Sequence, residues 1–388
     1  MKLISRSLLR KVILLIAPFA AVFLPSTFQH GFAQNKQDSD RSVMTWEHSD
    51  DGWRRRLEIR GKVQFNDDYT DVKDVSEDGV VRIEEIRNGQ SRRYEVRRDA
   101  GGQLTRAYYV NGEKQQMDAA AQTWIAQLVL TAVRQGGIDA EKRVQVILSR
   151  HGVAGVLHEI DQINSDYARR RYFDALLKHG NLNETALKDV LAQAARQISS
   201  DYEQAQLLIG VAPVLANKEG ALPAFFQAVS SIQSDYEHSR VLKTLLNRVS
   251  TSRDLLVQVA ASTKSISSDY EKAGVLKAVA AVYLDDAALR DIFFQTVGTI
   301  GSDYEHRRVL SALVKTKNLS EAALTQMLDS AAGLSSDYEK ATFLLEVSNA
   351  YTGDARLRGA FLKAVETIKS DHERGRVLSA LLKNKQIG

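Results

Sequence analysis

From Trp53 to about Met117, apolar and polar residues alternate with period two. Leu57, Ile59, Val63 and Phe65 share one register, and Val81 and Ile83 alternate with Arg82 and Glu84, as Tyr94 and Val96 do with their charged neighbours. This alternation predicts half-buried β-strands. Asp78-Gly79, Asn88-Gly89, Gly101-Gly102 and Asn111-Gly112 predict hairpin turns, because these residue types accept positive φ. The expected element is a small antiparallel β-meander of four to six strands, spanning 53–117, with one face buried. From Asp118 onward the spacing becomes helical. Trp124, Leu128 and Val129 fall on one face, and so do Val144, Ile147 and Leu148. Residues 118–164 therefore read as a helical cap with a first helix pair.

The rest of the chain, 165–388, is repetitive. Ser-Asp-Tyr-Glu or a near copy occurs seven times, with its Asp at Asp166, Asp201, Asp235, Asp269, Asp303, Asp337 and Asp371. The intervals are 35 residues and then five of 34. A fixed period in this range is the signature of a solenoid. Ser-x-x-Glu predicts a helix start with a capping box, in which Ser accepts the N3 amide and Glu returns to the Ser amide. Apolar residues then follow at Asp+6, +7, +10 and +11, as in Val309, Leu310, Leu313 and Val314. A second helix follows, for example from Ser320 through Leu324, Met327, Leu328 and Ala331.

A doubled period overlies the first. Odd repeats carry Arg at Asp+5 (Arg171, Arg240, Arg308, Arg376), whereas even repeats carry Ala at Asp+4 (Ala205, Ala273, Ala341). Even repeats also place Phe225-Phe226, Phe293-Phe294 or Phe361-Leu362 in their second helix. Alternating residue sizes imply two kinds of contact between repeats. The expected fold is mainly α: a right-handed α-solenoid of about seven 34-residue helix-turn-helix repeats, preceded by the β-meander. A single helix pair cannot bury its own apolar face, so neighbours must stabilise one another. The last repeat fits a terminal cap, with one helix followed by Lys383-Asn384-Lys385-Gln386.

The repeated motif resembles α-solenoids of the HEAT or tetratricopeptide kind, over roughly residues 150–388. The length matches a tetratricopeptide unit, but that family's Trp/Leu-Gly/Tyr pattern is missing. The unit is also similar to solenoid tails of bacterial exported proteins, and to the extracytoplasmic parts of membrane metallopeptidases of the beta-lactam-sensor type. Their His-Glu-x-x-His motif does not occur here. The resemblance thus implies a fold and a sensing or binding role, and no peptidase activity.

The N-terminus reads as an export signal. Lys2, Arg6, Arg10 and Lys11 precede the apolar run Val12–Leu24, and Gly31-Phe32-Ala33 offers a small-residue cleavage site. Residues 1–33 are expected to be a signal peptide cut after Ala33, and 34–52 a polar linker. The run is short for a membrane span, so a periplasmic or secreted protein with no stable span is expected. The whole chain has 52 Lys+Arg against 48 Asp+Glu. The four bases of the signal make up that excess, so the remainder is neutral and nucleic acid is not an expected partner. Cysteine is absent, which excludes disulfides and thiolate chemistry. Arg54, Arg55, Arg56, Arg92, Arg93, Arg97 and Arg98 enrich the strand region, but residues 34–118 hold 16 bases and 18 acids. That balance suits a solvated, ion-paired strand face better than an anion-binding patch.

No cofactor or metal site is expected: no phosphate-binding loop or dinucleotide fingerprint is present. His151, His158 and Glu159 form a weak constellation, the basis for an alternative reading as a hydrolase with a site between meander and solenoid. The more informative residues are Tyr167, Tyr202, Tyr236, Tyr270, Tyr304 and Tyr338 at Asp+1, with Arg240, Arg308 and Arg376 at Asp+5. Helical spacing places Tyr236 over Arg240 and Tyr304 over Arg308. Tyr and Arg anchor interfaces, so the row reads as a binding strip for a protein or peptide. Small residues at Asp+9 (Ala175, Ala278, Ala312, Ala380) favour instead tyrosines wedged between repeats. The overall expectation is an exported, non-enzymatic repeat scaffold. A periplasmic sensor domain serving a separate membrane protein is the other alternative.

Overall fold

A computed structural model describes residues 43–50, 53–99, 101–316, 319–350 and 357–383. The expected signal peptide, the first part of the linker and the tail from Asn384 lie outside the described residues. These residues form two compact units. One comprises the chain up to Lys62 and Val75–Gln116, and the other Val63–Asp74 with the chain from Met117 onward.

The strands are β1 (Val43–Asp50), β2 (Trp53–Arg60), β3 (Val63–Phe65), β4 (Val72–Val75), β5 (Val80–Arg87), β6 (Gln90–Arg98), β7 (Leu104–Val110) and β8 (Glu113–Gln115). Six form an antiparallel sheet in the order β1-β2-β5-β6-β7-β8, while β3 and β4 pair separately. The expected linker therefore already contains a strand. Residues 43–50 pair along their whole length with β2, and backbone pairing outweighs the polar composition that suggested a linker.

The turns follow residue chemistry. Asn88-Gly89 and Asn111-Gly112 have positive φ at both positions (50° and 80°, 50° and 86°), which matches the twist of a two-residue hairpin. Asp99 Oδ1 accepts the Gly101 and Gln103 amides to shape the β6–β7 turn. Asp78-Gly79 is not a hairpin turn: it joins β4 to β5, and these two strands pair with different partners. Leu57, Ile59, Val81, Ile83, Tyr94 and Val96 are buried on one sheet face.

The arginines of this region do not share one face, because consecutive strand residues point to opposite sides. Arg55 lies on the side of Leu57 and pairs with Glu85 at 2.5 Å. Arg98, on the side of Tyr94, donates to the Val75 carbonyl at 2.8 Å. Arg54, Arg56, Arg93 and Arg97 lie on the polar side.

The second unit contains fifteen α-helices among the described residues. Helix α1 (Ala119–Gly136) is capped by Asp118 and ends at Gly137, whose φ of 61° closes it in the left-handed conformation. Helix α2 (Ala140–Asp161) is kinked at Gly152, with φ 64° and ψ −165°. The first helices of the seven repeats are α3 (Asp166–His179), α5 (Asp201–Leu215), α7 (Asp235–Arg248), α9 (Asp269–Ala281), α11 (Asp303–Val314), α13 (Asp337–Ala350) and α15 (Asp371–Lys383). The second helices are α4 (Glu184–Gln197), α6 (Leu222–Val229), α8 (Arg253–Thr263), α10 (Ala287–Val297), α12 (Glu321–Ala332) and α14 (Arg358–Glu366). First helices pack on first helices and second on second, in chain order. This is a mainly α helical-repeat fold preceded by an antiparallel sheet. The stripe at Asp+6, +7, +10 and +11 is buried as expected; Val309, Leu310 and Leu313 are fully enclosed.

Candidate interaction face

The repeated motif sits at the start of each first helix, and the structure divides its residues by task. Each motif Ser caps its own helix: Ser234 Oγ accepts the Glu237 amide, and Ser302 Oγ that of Glu305. The Ser amide, however, is taken by the preceding repeat. Asp166 Oδ2 accepts the amides of Ser199 and Ser200 at 2.9 and 2.8 Å. Asp235 does the same for Ser267 and Ser268, and Asp303 for Ser335 and Ser336. Asp201, Asp269 and Asp337 complete the series. Gln135 Oε1 plays this part for the first repeat, accepting the Asn164 and Ser165 amides. Asp371 accepts no amide from a later repeat among the described residues, and its side chain is almost wholly exposed.

The capping box is thus only half made. Its Ser acts as expected, but an aspartate 33 or 34 residues earlier occupies the amide that Glu would have reached. Free helix-start amides need an acceptor, and the aspartates turn that need into a joint between repeats. These bonds hold the Asp337 carboxyl below its ordinary range, chiefly through the Ser370 amide.

The released glutamates alternate. In even repeats they reach back one repeat: Glu203 to Arg170, Glu271 to Ser239 and Lys243, and Glu339 to Arg307. In odd repeats Glu237, Glu305 and Glu373 pair with Arg240, Arg308 and Arg376 on their own helix. The doubled period in the sequence is therefore a real alternation of joints.

Position Asp+3 closes each of the first six repeats internally. Arg169 donates to the Gln197 carbonyl, Gln204 to Ala228, Lys272 to Thr299 and Lys340 to Thr367. His238 and His306 meet Ser262 Oγ and Ser330 Oγ at 2.9 and 2.8 Å. Burial pushes both histidines below the ordinary imidazole range, against an opposing pull from Asp235 and Asp303. Sequence reasoning missed that a long polar side chain at this position in the first six repeats is a clamp on the end of the second helix.

With Ser, Asp, Glu and Asp+3 all engaged, the tyrosines project outward. Tyr202, Tyr236, Tyr270, Tyr304 and Tyr338 are each more than half exposed, and Tyr167 is partly covered. They are not wedges between repeats. The Arg308 guanidinium lies 5.5 Å from the Tyr304 ring, as helical spacing predicts. The pairing of Tyr236 with Arg240 is replaced by another: Arg240 lies 5.7 Å from Tyr202 of the preceding repeat, and Arg376 lies 5.4 Å from Tyr338. Each of these arginines is drawn back between its own Glu and the neighbouring ring. The outcome is a row of aromatic platforms, with guanidiniums beside Tyr202, Tyr304 and Tyr338.

The histidine constellation is broken up. Glu159 receives two bonds from Arg134, at 2.7 and 2.8 Å, and two from Arg143, at 3.0 and 2.8 Å. Burial raises the Glu159 carboxyl, but the two guanidiniums outweigh it and hold it below the ordinary range. His151 and His158 stay exposed and do not touch it. Among the described residues no three His, Asp or Glu side chains are arranged to hold a metal ion, and no helix is long and apolar enough to cross a membrane. Comparison with known proteins adds no relative: no family, curated protein or solved structure matches the chain.

Proposed function

We propose that this protein is an exported, non-catalytic repeat scaffold that binds a protein or peptide partner along its row of tyrosines. The observation that carries this reading is the exposure of Tyr202, Tyr236, Tyr270, Tyr304 and Tyr338 at one equivalent position in successive repeats. Large rings with two rotatable bonds, flanked by guanidiniums, offer contact area at low entropic cost. The Ser, Asp and Glu of the motif are taken up by helix caps, ion pairs and joints between repeats, so the tyrosine is the position left to face a partner. The resemblance to solenoid tails of exported proteins points the same way.

The test is retention of envelope proteins by the immobilised chain. The wild type should retain a specific set, and the double variant Tyr236→Ala, Tyr304→Ala should lose it. Arg54→Ala with Arg56→Ala on the sheet should retain the set unchanged. Equal retention by wild type and the tyrosine variant would dismiss the row as the binding face.

A further inference from the structure

The helical unit contains a cavity of about 520 Å³ between α2 and the loop that follows β3. Its size falls in the range of small-ligand sites. Its floor is fixed by the Arg134–Glu159–Arg143 network and by Tyr69, whose hydroxyl donates to Asp139 Oδ2 at 3.0 Å. The Arg143 guanidinium lies 4.9 Å from the Tyr69 ring. The loop is locked as well: Asn66 Oδ1 accepts the amides of Thr70 and Asp71, both at 2.9 Å.

Two backbone features shape this place. Tyr69 has a φ of 58°, a left-handed conformation that a bulky residue rarely adopts. Such strain persists where surrounding contacts enforce it, and it collects at functional sites. On the opposite wall a Cβ at Gly155 would lie 2.3 Å from the His151 Cβ, so a glycine is needed for His151 to sit where it does.

The rim is charged and open to solvent. Asp67, Arg150, His151 and His158 all line the cavity, yet none of them has a hydrogen-bond or ion-pair partner among the described residues. Asp68 beside them is held ionised by the Thr70 hydroxyl, at 2.7 Å. The acids come from the loop and the basic groups from α2, so the two walls carry opposite polarity. We propose that this cavity binds a small zwitterion of the amino-acid or short-peptide class, its ammonium towards Asp67 and Asp68 and its carboxylate towards Arg150, His151 and His158.

The test is calorimetric titration of the full chain with glycylglycine and with a panel of free L-amino acids. N-acetylglycine, which lacks the ammonium, and glycinamide, which lacks the carboxylate, serve as capped probes. At least one zwitterion should bind saturably at one site, and both capped probes should bind at least about tenfold more weakly, as loss of a charge-assisted contact implies. Arg150→Ala and Asp67→Asn should each weaken the zwitterion by about tenfold or more. Neither side chain has a partner to lose, so both variants should unfold at the wild-type temperature. Absence of saturable binding by every uncapped probe, a capped probe that binds as well as the zwitterion, or undiminished binding in both variants would overturn the assignment. Tyr236→Ala should leave this binding intact, which separates it from the tyrosine row.

Discussion

On the polar face of the sheet, arginines and glutamates alternate across the strands. Arg56 stands opposite Glu84, which stands opposite Arg93, and one row along Glu58, Arg82 and Glu95 do the same. Arg82 bonds to both of its glutamates, at 3.3 and 3.1 Å, and Arg97 adds to Glu95 at 3.5 Å. Along the helix starts of the repeats, arginines also find glutamates, as in Arg240 with Glu237 and Arg308 with Glu305. There, however, the second to sixth repeats each also leave a tyrosine ring in water. The sheet sets opposite charges against each other across its strands, whereas the repeats pair their charges and still present an unfinished apolar surface. A run of arginines is therefore a poor guide to a binding face, and a large exposed ring at a fixed position in successive repeats is a better one.

The sharpest way to break this comparison is through the aspartates that join the repeats. Asp166→Ala strands the Ser199 and Ser200 amides and frees Arg169, and should cost about 2–3 kcal/mol in chemical denaturation. The same change at Asp371, whose exposed carboxylate joins no other repeat among the described residues, should leave the denaturation midpoint in place. Equal effects at the two positions would mean that the aspartates serve only their own helices.

A smaller effect is expected from pH. His238 and His306 have lowered folded-state values, so the unfolded chain binds more protons. Their contribution is complete above an ordinary imidazole value of about 6.5 and is lost as the pH falls below it. Denaturation midpoints measured from pH 7.5 to 5 should fall for the wild type. The fall should be shallower for His238→Gln with His306→Gln, because glutamine can still bond to serine without taking up a proton. Matching slopes would remove the histidines from the account.

The smallest change belongs to the sheet. Arg54 and Glu47 are half exposed and 3.9 Å apart, so Arg54→Ala should alter stability by no more than about 0.5 kcal/mol. A larger loss would show that the charged face does more than keep the sheet solvated.

Much of the helical region was legible because its signals are local. Ser before Asp marks each helix start, the stripe at +6, +7, +10 and +11 marks the buried face, and the 34-residue interval marks the stacking. The strands were legible from alternation except for 43–50, whose assignment depends on a partner strand. The candidate site was half legible. Helical spacing picked out the tyrosines and the Tyr304–Arg308 pair, but the small residues at Asp+9 suggested that the rings would be covered. It also could not show that Arg240 and Arg376 reach back to the previous repeat. Of the cavity beside Tyr69, only the α2 wall had a sequence signal, in His151, His158 and Glu159; the loop that faces it lies more than 70 residues away in the chain.

Within one repeat, then, the sequence alone determined the fold class, the period, the alternation of odd and even repeats and the face that is buried. These depend on residues one or two helical turns apart, where chain geometry is fixed in advance. Only the tertiary structure decided which acceptor takes the Ser amide, where each Glu and Arg finds its partner, and which rings remain in water. Those outcomes are competitions between groups about 34 residues apart, and proximity in the folded chain, which spacing does not encode, settles them.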